Sequence, residues 1–68
     1  MKTFDNHLVT VITVTRNRAG LLPRAIRSVL SQSYGKIDYV IIDGASDDNT
    51  EEVVRSFKDS RITYFRLA

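Results

Sequence analysis

The sequence predicts an α/β fold, a βαβαβ unit whose three parallel strands form one sheet. Residues 8–15 and 37–43 are apolar and rich in β-branched side chains, and each segment is followed by a polar loop and an amphipathic stretch. A third strand-like segment, residues 62–67, comes after the second amphipathic stretch. Because crossovers between parallel strands are right-handed and connections are short, the simplest sheet has the strand order 3-2-1. Such a unit is half of a doubly wound α/β fold.

The first half of the chain predicts a strand, a loop and a helix. Leu8–Thr15 alternates apolar residues with threonine, a pattern typical of a buried strand, and residues 16–20 form the loop. From Leu21 the apolar positions follow a helical period, and Pro23 fits the first turn, where its missing N–H costs nothing. Gly35 predicts a C-terminal cap, so the helix should end near Ser33 to Gly35. The predicted buried face consists of Leu21, Leu22, Ala25, Ile26, Val29 and Leu30.

The second half repeats this plan. Ile37–Asp43 contains a continuous apolar run, which predicts a strand covered on both faces. Residues 44–49 form a tight polar turn, and Asn49 or Thr50 is expected to cap the second helix. The buried stripe of that helix is predicted to be Val53, Val54 and Phe57.

Composition narrows the class of protein. The hydrophobic fraction of 43% and the charged fraction of 26% are typical of a globular protein, and 68 residues suffice for one domain at most. The absence of cysteine excludes disulfides, thiolate metal sites and cysteine nucleophiles. A net charge of +2 without a dense basic patch predicts no nucleic-acid partner. No apolar run approaches the roughly 20 residues of a membrane span, so we expect no membrane span and a cytoplasmic location.

The predicted strand order leaves the first strand at the outside of the sheet. That strand is rich in apolar side chains and has no neighbour on its outer side. Exposed apolar edges pair readily with other chains. We therefore expect self-association through the open sheet edge.

Polar residues follow the first two strands where they end. Ligands of parallel α/β sheets bind at the carboxyl ends of the strands, which here carry Thr15, Arg16 and Asn17 after the first strand and Asp43 after the second. A carboxylate only accepts hydrogen bonds, so Asp43 suits the imide N–H of uracil or thymine, or the N1–H of guanine. The alternative is that Asp43 satisfies backbone donors of its own turn. Gly44, next in the chain, would permit a sharp turn and close approach of a ligand.

The first loop has similar alternatives. Thr15 and Asn17 are suited to hold a base or ribose, or to brace the loop and the following helix. Arg16 and Arg18 are suited to face a pyrophosphate, or are simply solvated. The loop does not contain G-x-G-x-x-G, and the chain has no Walker A lysine motif, so both standard phosphate-binding loops are absent.

Four ordered segments, which together span nearly the whole chain, carry a family resemblance. The segments are VTVITVTRNRA, LxxAIxSVLSQSY, VIIDGASDDNT and DSRITY. With these segments the chain resembles the start of family 2 glycosyltransferases, which have the Rossmann-like GT-A fold. The resemblance implies that residues 1–68 are an amino-terminal fragment of a GT-A domain that binds the nucleotide of a sugar donor, commonly UDP. It also implies a role in polysaccharide biosynthesis, with a saccharide or lipid-linked acceptor.

The resemblance implies roles for individual residues. Thr15 takes the position of the family's threonine near the nucleoside, and Asp43 that of the aspartate pairing with the base N3–H. Arg16 replaces a frequent aromatic residue and can stack on a base through its guanidinium. Ala45 replaces a frequent glycine and requires either a negative φ or mild strain. Asp48 is expected to brace the turn and the second helix.

The family's metal and base residues are not found here. Family members hold Mg²⁺ or Mn²⁺ with a later Asp-x-Asp motif and use a later carboxylate as base, and Asp47-Asp48 belongs to a different family motif. We therefore expect Mg or Mn in the full-length enzyme, no catalytic or metal residue in this chain, and no activity of the chain alone. The alternatives are a stand-alone nucleotide-binding module and a self-associating α/β module, both without catalysis.

Overall fold

The computed structural model of the chain describes residues 8–32 and 36–67. Strands and helices alternate, as predicted, and the connections between them are short. The five elements are β1 (Leu8–Thr15), α1 (Leu22–Leu30), β2 (Lys36–Asp43), α2 (Thr50–Arg55) and β3 (Ile62–Arg66).

The three strands form one parallel sheet in the order β1-β2-β3, which confirms the predicted fold class and strand order. In the register of the sheet, Thr15 lies opposite Asp43, and Asp43 lies opposite Arg66. The carboxyl ends of all three strands therefore bring polar side chains side by side.

Both helices pack on one face of the sheet. Two right-handed crossovers that advance in the same direction place their helices on the same side, and α1 and α2 contact each other there. Between the helices and the sheet lies the core. It consists of Leu22 and Ile26 from α1, Ile37, Tyr39 and Ile41 from β2, and Val54 from α2.

The opposite face of the sheet is bare among the described residues. On β1, Ile12 is 60% exposed and Val14 is 74% exposed, so the prediction of a buried first strand is wrong. The prediction that β2 is covered on both faces is also wrong, because no helix reaches its second side, where Val40 and Ile42 are half-buried. We call the following apolar residues the bare face: Leu8, Ile12, Val14, Val40, Ile42 and Phe65.

The predicted stripe of α1 is confirmed in part. Leu22 and Ile26 are buried, and Val29 and Leu30 are half-buried. Leu21 and Ala25 are exposed, because Leu21 precedes the first helical turn and Ala25 lies at the solvent side of the helix. Pro23 lies in the first turn, as predicted. The helix ends at Leu30, and the cap predicted at Gly35 falls outside the described residues.

The start of α2 differs from the prediction. The helix begins at Thr50, but the side chain of Asn49 makes no capping hydrogen bond. Instead the carboxylate of Asp48 accepts hydrogen bonds from the backbone N–H of Thr50, at 3.1 Å, and from its hydroxyl. Of the predicted stripe, Val54 is buried, whereas Val53 and Phe57 are half-buried.

No helix in residues 8–32 or 36–67 is long and apolar enough to cross a membrane.

Candidate functional site

The candidate site lies at the carboxyl end of the sheet, where the loops after β1 and β2 meet. The backbone N–H of Gly44 donates to the carbonyl of Thr15 at 2.8 Å, and that of Leu67 donates to the carbonyl of Asp43 at 2.8 Å. The parallel ladder thus continues past the last strand residues. Its continuation fixes the positions from which the two loops start.

Hydrogen bonds join the two loops directly. The backbone N–H of Asn17 donates to Ser46 Oγ at 2.8 Å, and Asn17 Oδ1 accepts from the backbone N–H of Asp47 at 2.7 Å. The backbone N–H of Ala19 donates to Asp48 Oδ2 at 3.2 Å. Asn17 has a φ of 51°, in the left-handed region that asparagine tolerates well. Asn17 and Asp48 therefore brace the loops, which confirms the bracing interpretation of both residues.

Asp43 is fully buried at this end of the sheet. Its Oδ1 accepts hydrogen bonds from the backbone N–H of Ser46 at 3.0 Å and from Ser46 Oγ at 2.6 Å. Its Oδ2 accepts the hydroxyl of Tyr64, and Arg66 Nη1 lies 3.6 Å from the same oxygen. Asp43 thus accepts from the donors of its own turn, and both of its carboxylate oxygens have donors.

The electrostatics keep Asp43 ionised and Tyr64 neutral. Burial raises the pKa of Asp43, but the hydrogen bonds from Ser46 and Tyr64 and the charge of Arg66 outweigh it and hold that pKa below its usual value. Burial and the hydrogen bond to Asp43 raise the pKa of Tyr64 to about 12. At neutral pH the Tyr64 hydroxyl therefore keeps its proton, and Asp43 stays ionised.

Among the described residues, the hydroxyl oxygen of Thr15 is the one buried side-chain nitrogen or oxygen atom without a hydrogen-bond partner. The residue is only 5% exposed, and its Oγ1 has neither donor nor acceptor within reach. A buried hydroxyl without a partner costs about 1–3 kcal/mol. Its position directly across from Asp43 marks the place where a ligand group could supply the missing hydrogen bond.

Gly44 and Ala45 are neighbours in the turn after β2, but only Ala45 has a positive φ. Gly44 does not have a positive φ, and a Cβ there would lie 3.7 Å from the carbonyl oxygen of Thr15 and 3.8 Å from Arg16 Cβ, both ordinary contacts. The sharp turn therefore does not depend on the conformational freedom of glycine at residue 44. Ala45 instead carries a φ of 63°, so the alternative of mild strain holds for it.

The structure brings together all four residues that were singled out from the sequence, Thr15, Arg16, Asn17 and Asp43. Arg16 is exposed and lies beside Gly44. Three further residues, Ser46, Tyr64 and Arg66, complete the arrangement and were not singled out. Arg66 could be recognised only from the register of the sheet, in which it occupies the last position of β3 opposite Asp43.

An open cleft of about 460 Å³ lies beside the loop after β2, with Ser46, Asp48 and Arg66 in its lining. Arg66 Nη1 donates to the carbonyl of Ser46 at 2.9 Å at its margin. Within the described parts of the chain, no group of three or more histidine, aspartate or glutamate residues is arranged to hold a metal ion. The site thus combines a buried anion, an unpartnered hydroxyl and two exposed arginines.

The amino-acid sequence also matches a known protein family. The model of glycosyl transferase family 2 matches residues 10–68 of the chain. The chain belongs to glycosyl transferase family 2. This result confirms the family resemblance carried by the four sequence segments, and with it the assignment of the chain to a family of glycosyltransferases.

Individual family 2 glycosyltransferases are similar to the chain over most of its length. It is 38% identical over 58 residues to UDP-Glc:alpha-D-GlcNAc-diphosphoundecaprenol beta-1,3-glucosyltransferase WfgD of Escherichia coli, covering 85% of this chain and 23% of that protein. It is 37% identical over 59 residues to GalNAc(5)-diNAcBac-PP-undecaprenol beta-1,3-glucosyltransferase of Campylobacter jejuni, covering 84% and 19%. It is also 37% identical over 62 residues to the putative colanic acid biosynthesis glycosyl transferase WcaA of Escherichia coli, covering 88% and 22%. The chain spans about a fifth of the length of these curated relatives.

Proposed function

We propose that this chain forms the nucleotide-recognising part of a glycosyltransferase that transfers a sugar from a nucleotide-diphosphate sugar, specifically a UDP-sugar, to a saccharide or lipid-linked acceptor. The observation that carries the proposal is the unpartnered, buried hydroxyl of Thr15 next to the buried carboxylate of Asp43. Membership of the family supports it, and so do the printed names of the relatives, one of which includes UDP-Glc and two of which include undecaprenol-linked acceptors.

In this proposal a separate role in nucleotide binding is assigned to each of Asp43, Thr15, Arg16 and Asn17. Asp43 accepts the N3–H of the base, and Thr15 Oγ1 pairs with the base or the ribose. Arg16, exposed above Gly44, stacks on the base or faces the diphosphate. Asn17 holds the loop through its bonds to the loop after β2. Uracil fits this set because its N3–H is a donor, whereas cytosine presents an acceptor at the same place.

Mg²⁺ or Mn²⁺ and a catalytic base remain part of the proposal for a full-length enzyme. A divalent cation would stabilise the leaving diphosphate. The described residues do not fit such an ion, because the carboxylate of Asp48 already accepts from Ala19 and Thr50 and no group of three or more possible ligands is arranged among these residues. We therefore derive no reaction step here, and we propose that the 68-residue chain alone is inactive and that the enzyme acts in the cytoplasm.

Calorimetric titration with UDP and with CDP tests the nucleotide site. In the unaltered chain, we expect UDP to bind and CDP to bind more weakly. Asp43→Asn should weaken UDP binding about tenfold and reduce the preference for UDP over CDP, because a charge-assisted acceptor is lost and an amide donor is gained.

The matched control is Asp38→Asn, the same chemical change on the same strand. Asp38 is half-buried and lies on the bare side of β2, away from Thr15. It should leave the affinities for both nucleotides unchanged. Equal UDP affinity of the unaltered chain and the Asp43→Asn variant would refute the assignment of Asp43 to the base.

The bare face favours a second candidate function, a self-associating module without catalysis. Its exposed apolar side chains need a covering partner, and a second copy of the chain can provide one. A molecular mass that rises with concentration and does not respond to UDP would favour this candidate over a nucleotide-binding module.

A further inference from the structure

We propose that Tyr64 competes with the base for Asp43: its hydroxyl donates to Asp43 Oδ2 in the free chain, where the carboxylate is fully buried, so the ring must move before a base N–H can reach that oxygen. This inference rests on the proposed nucleotide site at Asp43. It adds one step to nucleotide binding at that site, the displacement of the Tyr64 hydroxyl from Asp43. Tyr64 is a positioning residue, because it affects the nucleotide only through Asp43. It also explains how a fully buried carboxylate can still recognise a ligand.

The donors at Asp43 differ in how firmly they are held. Both donors from Ser46 come from the same tight turn as Asp43, three residues away, so they stay in place as long as the turn does. Tyr64 comes from β3, which has five residues and pairs with β2 on one side. The Tyr64 hydroxyl is thus the donor that can be exchanged without dismantling the turn.

The structure provides space for the released ring. A cleft of about 230 Å³ adjoins Tyr64 and includes Val54, Lys58 and Asp59 in its lining. The guanidinium of Arg55 lies 5.9 Å from the centre of the Tyr64 ring and can follow it as a cation–π partner. Rotation of the ring toward this cleft would take its hydroxyl away from Oδ2 and keep the ring near Val54, a core residue that lines the cleft.

Replacement of the Tyr64 hydroxyl by a base N–H would leave the number of hydrogen bonds to Asp43 unchanged. A uracil N3–H replaces the phenolic O–H one for one, and Arg66, 3.6 Å from Oδ2, continues to offset the charge. Cytosine brings an acceptor to the same oxygen and cannot replace the donor. Only bases with an imide or N1–H donor can displace Tyr64, so the competition sharpens base selectivity.

The test is Tyr64→Phe, with Tyr39→Phe as a matched control. Tyr39 is a buried tyrosine on the same face of the sheet whose hydroxyl pairs with Thr13 Oγ1 at 2.8 Å rather than with Asp43. Removing the competing hydroxyl should tighten UDP binding about tenfold in calorimetry, because the base no longer displaces a charge-assisted hydrogen bond. We expect Tyr64→Phe to leave the affinity for CDP unchanged. Tyr39→Phe should not increase the affinity for either nucleotide. A purely structural role of Tyr64 would weaken the binding of both nucleotides.

The unaltered chain offers a second readout that needs no variant. With ¹³C-labelled tyrosine, UDP titration should shift the Cζ resonance of Tyr64 and leave that of Tyr39 in place. If UDP binds but Tyr64→Phe does not bind it more tightly, or the Tyr64 resonance does not shift, the competition is refuted while the nucleotide site stands. If neither the unaltered chain nor Tyr64→Phe binds UDP, the proposed function itself is refuted, and the competition with it.

Discussion

At the scale of single residues, position along a strand predicted which side chains reach the site but not what they touch. Thr15 and Asp43 could be identified because they end their strands, and ligands of parallel sheets bind there. The burial of Asp43 could not be predicted, because the hydroxyl that covers it comes from Tyr64, 21 residues further along the chain. Contacts at that separation depend on the register of β3, which local sequence patterns do not specify.

Ala45 gives a prediction at this scale. Its φ of 63° is costly for a residue with a Cβ, and glycine adopts it freely. Ala45→Gly should therefore raise the free energy of unfolding by about 0.5–1 kcal/mol, the relief of strain exceeding the added freedom of the unfolded chain. Urea denaturation measures the change. Ala25→Gly, on the exposed side of α1, is the control and should lower stability by about 0.5–1 kcal/mol. A loss of stability in Ala45→Gly would show that residue 45 is not strained.

At the scale of secondary-structure elements, the bounds of the strands were easier to predict than which of their faces are buried. The bounds of β1 were predicted to the residue, and those of β2 and β3 to within one, because β-branched runs end sharply at polar loops. The run Tyr39–Ile42 suggested a strand covered on both sides, which is wrong. The same right-handed crossover rule that predicts the strand order also places both helices on one side, and an apolar run considered alone does not contain that information.

The hydrogen bond between Thr50 and Asp48 at the start of α2 leads to a prediction about the stability of the chain. Thr50 is fully buried, and its hydroxyl donates to the carboxylate that caps the helix. Thr50→Val keeps the shape and removes this donor, so it should lower the free energy of unfolding by about 1–2 kcal/mol. Thr63→Val makes the same change at an exposed position of β3 and should stay within about 0.5 kcal/mol of the unaltered chain. Equal effects of the two substitutions in thermal or urea unfolding would contradict the capping role.

At the scale of the whole molecule, the sheet has one covered face and one bare face. Four apolar residues of the bare face are more than half exposed, namely Leu8, Ile12, Val14 and Phe65. An apolar surface of this kind, next to the unpaired outer edge of β1 in the described sheet, invites a second copy of the chain.

We therefore predict that the chain self-associates and that charge on the bare face prevents it. Sedimentation velocity over a wide concentration range should show a mass rising above 7.7 kDa. Ile12→Lys places a charge in the middle of β1 and should shift the chain toward the monomer, because the ammonium group would have to be desolvated in the contact. Ser28→Lys adds the same charge on the exposed side of α1 and should not change the association. A monomer at every concentration, or equal effects of the two lysines, would exclude the bare face as the contact.

The hydrogen bonds between the loops after β1 and β2 have a kinetic consequence. Asn17, Ala19, Ser46 and Asp48 tie the two loops into one body while the chain folds, so their conformational entropy is lost before any nucleotide arrives. If the chain binds a nucleotide as proposed, binding requires no slow ordering of a loop, and its rate should be set by diffusion and by the proposed release of Tyr64. The same connections mean that the amides of both loops should exchange with solvent hydrogen in a single opening event, although 29 residues separate Asn17 from Ser46.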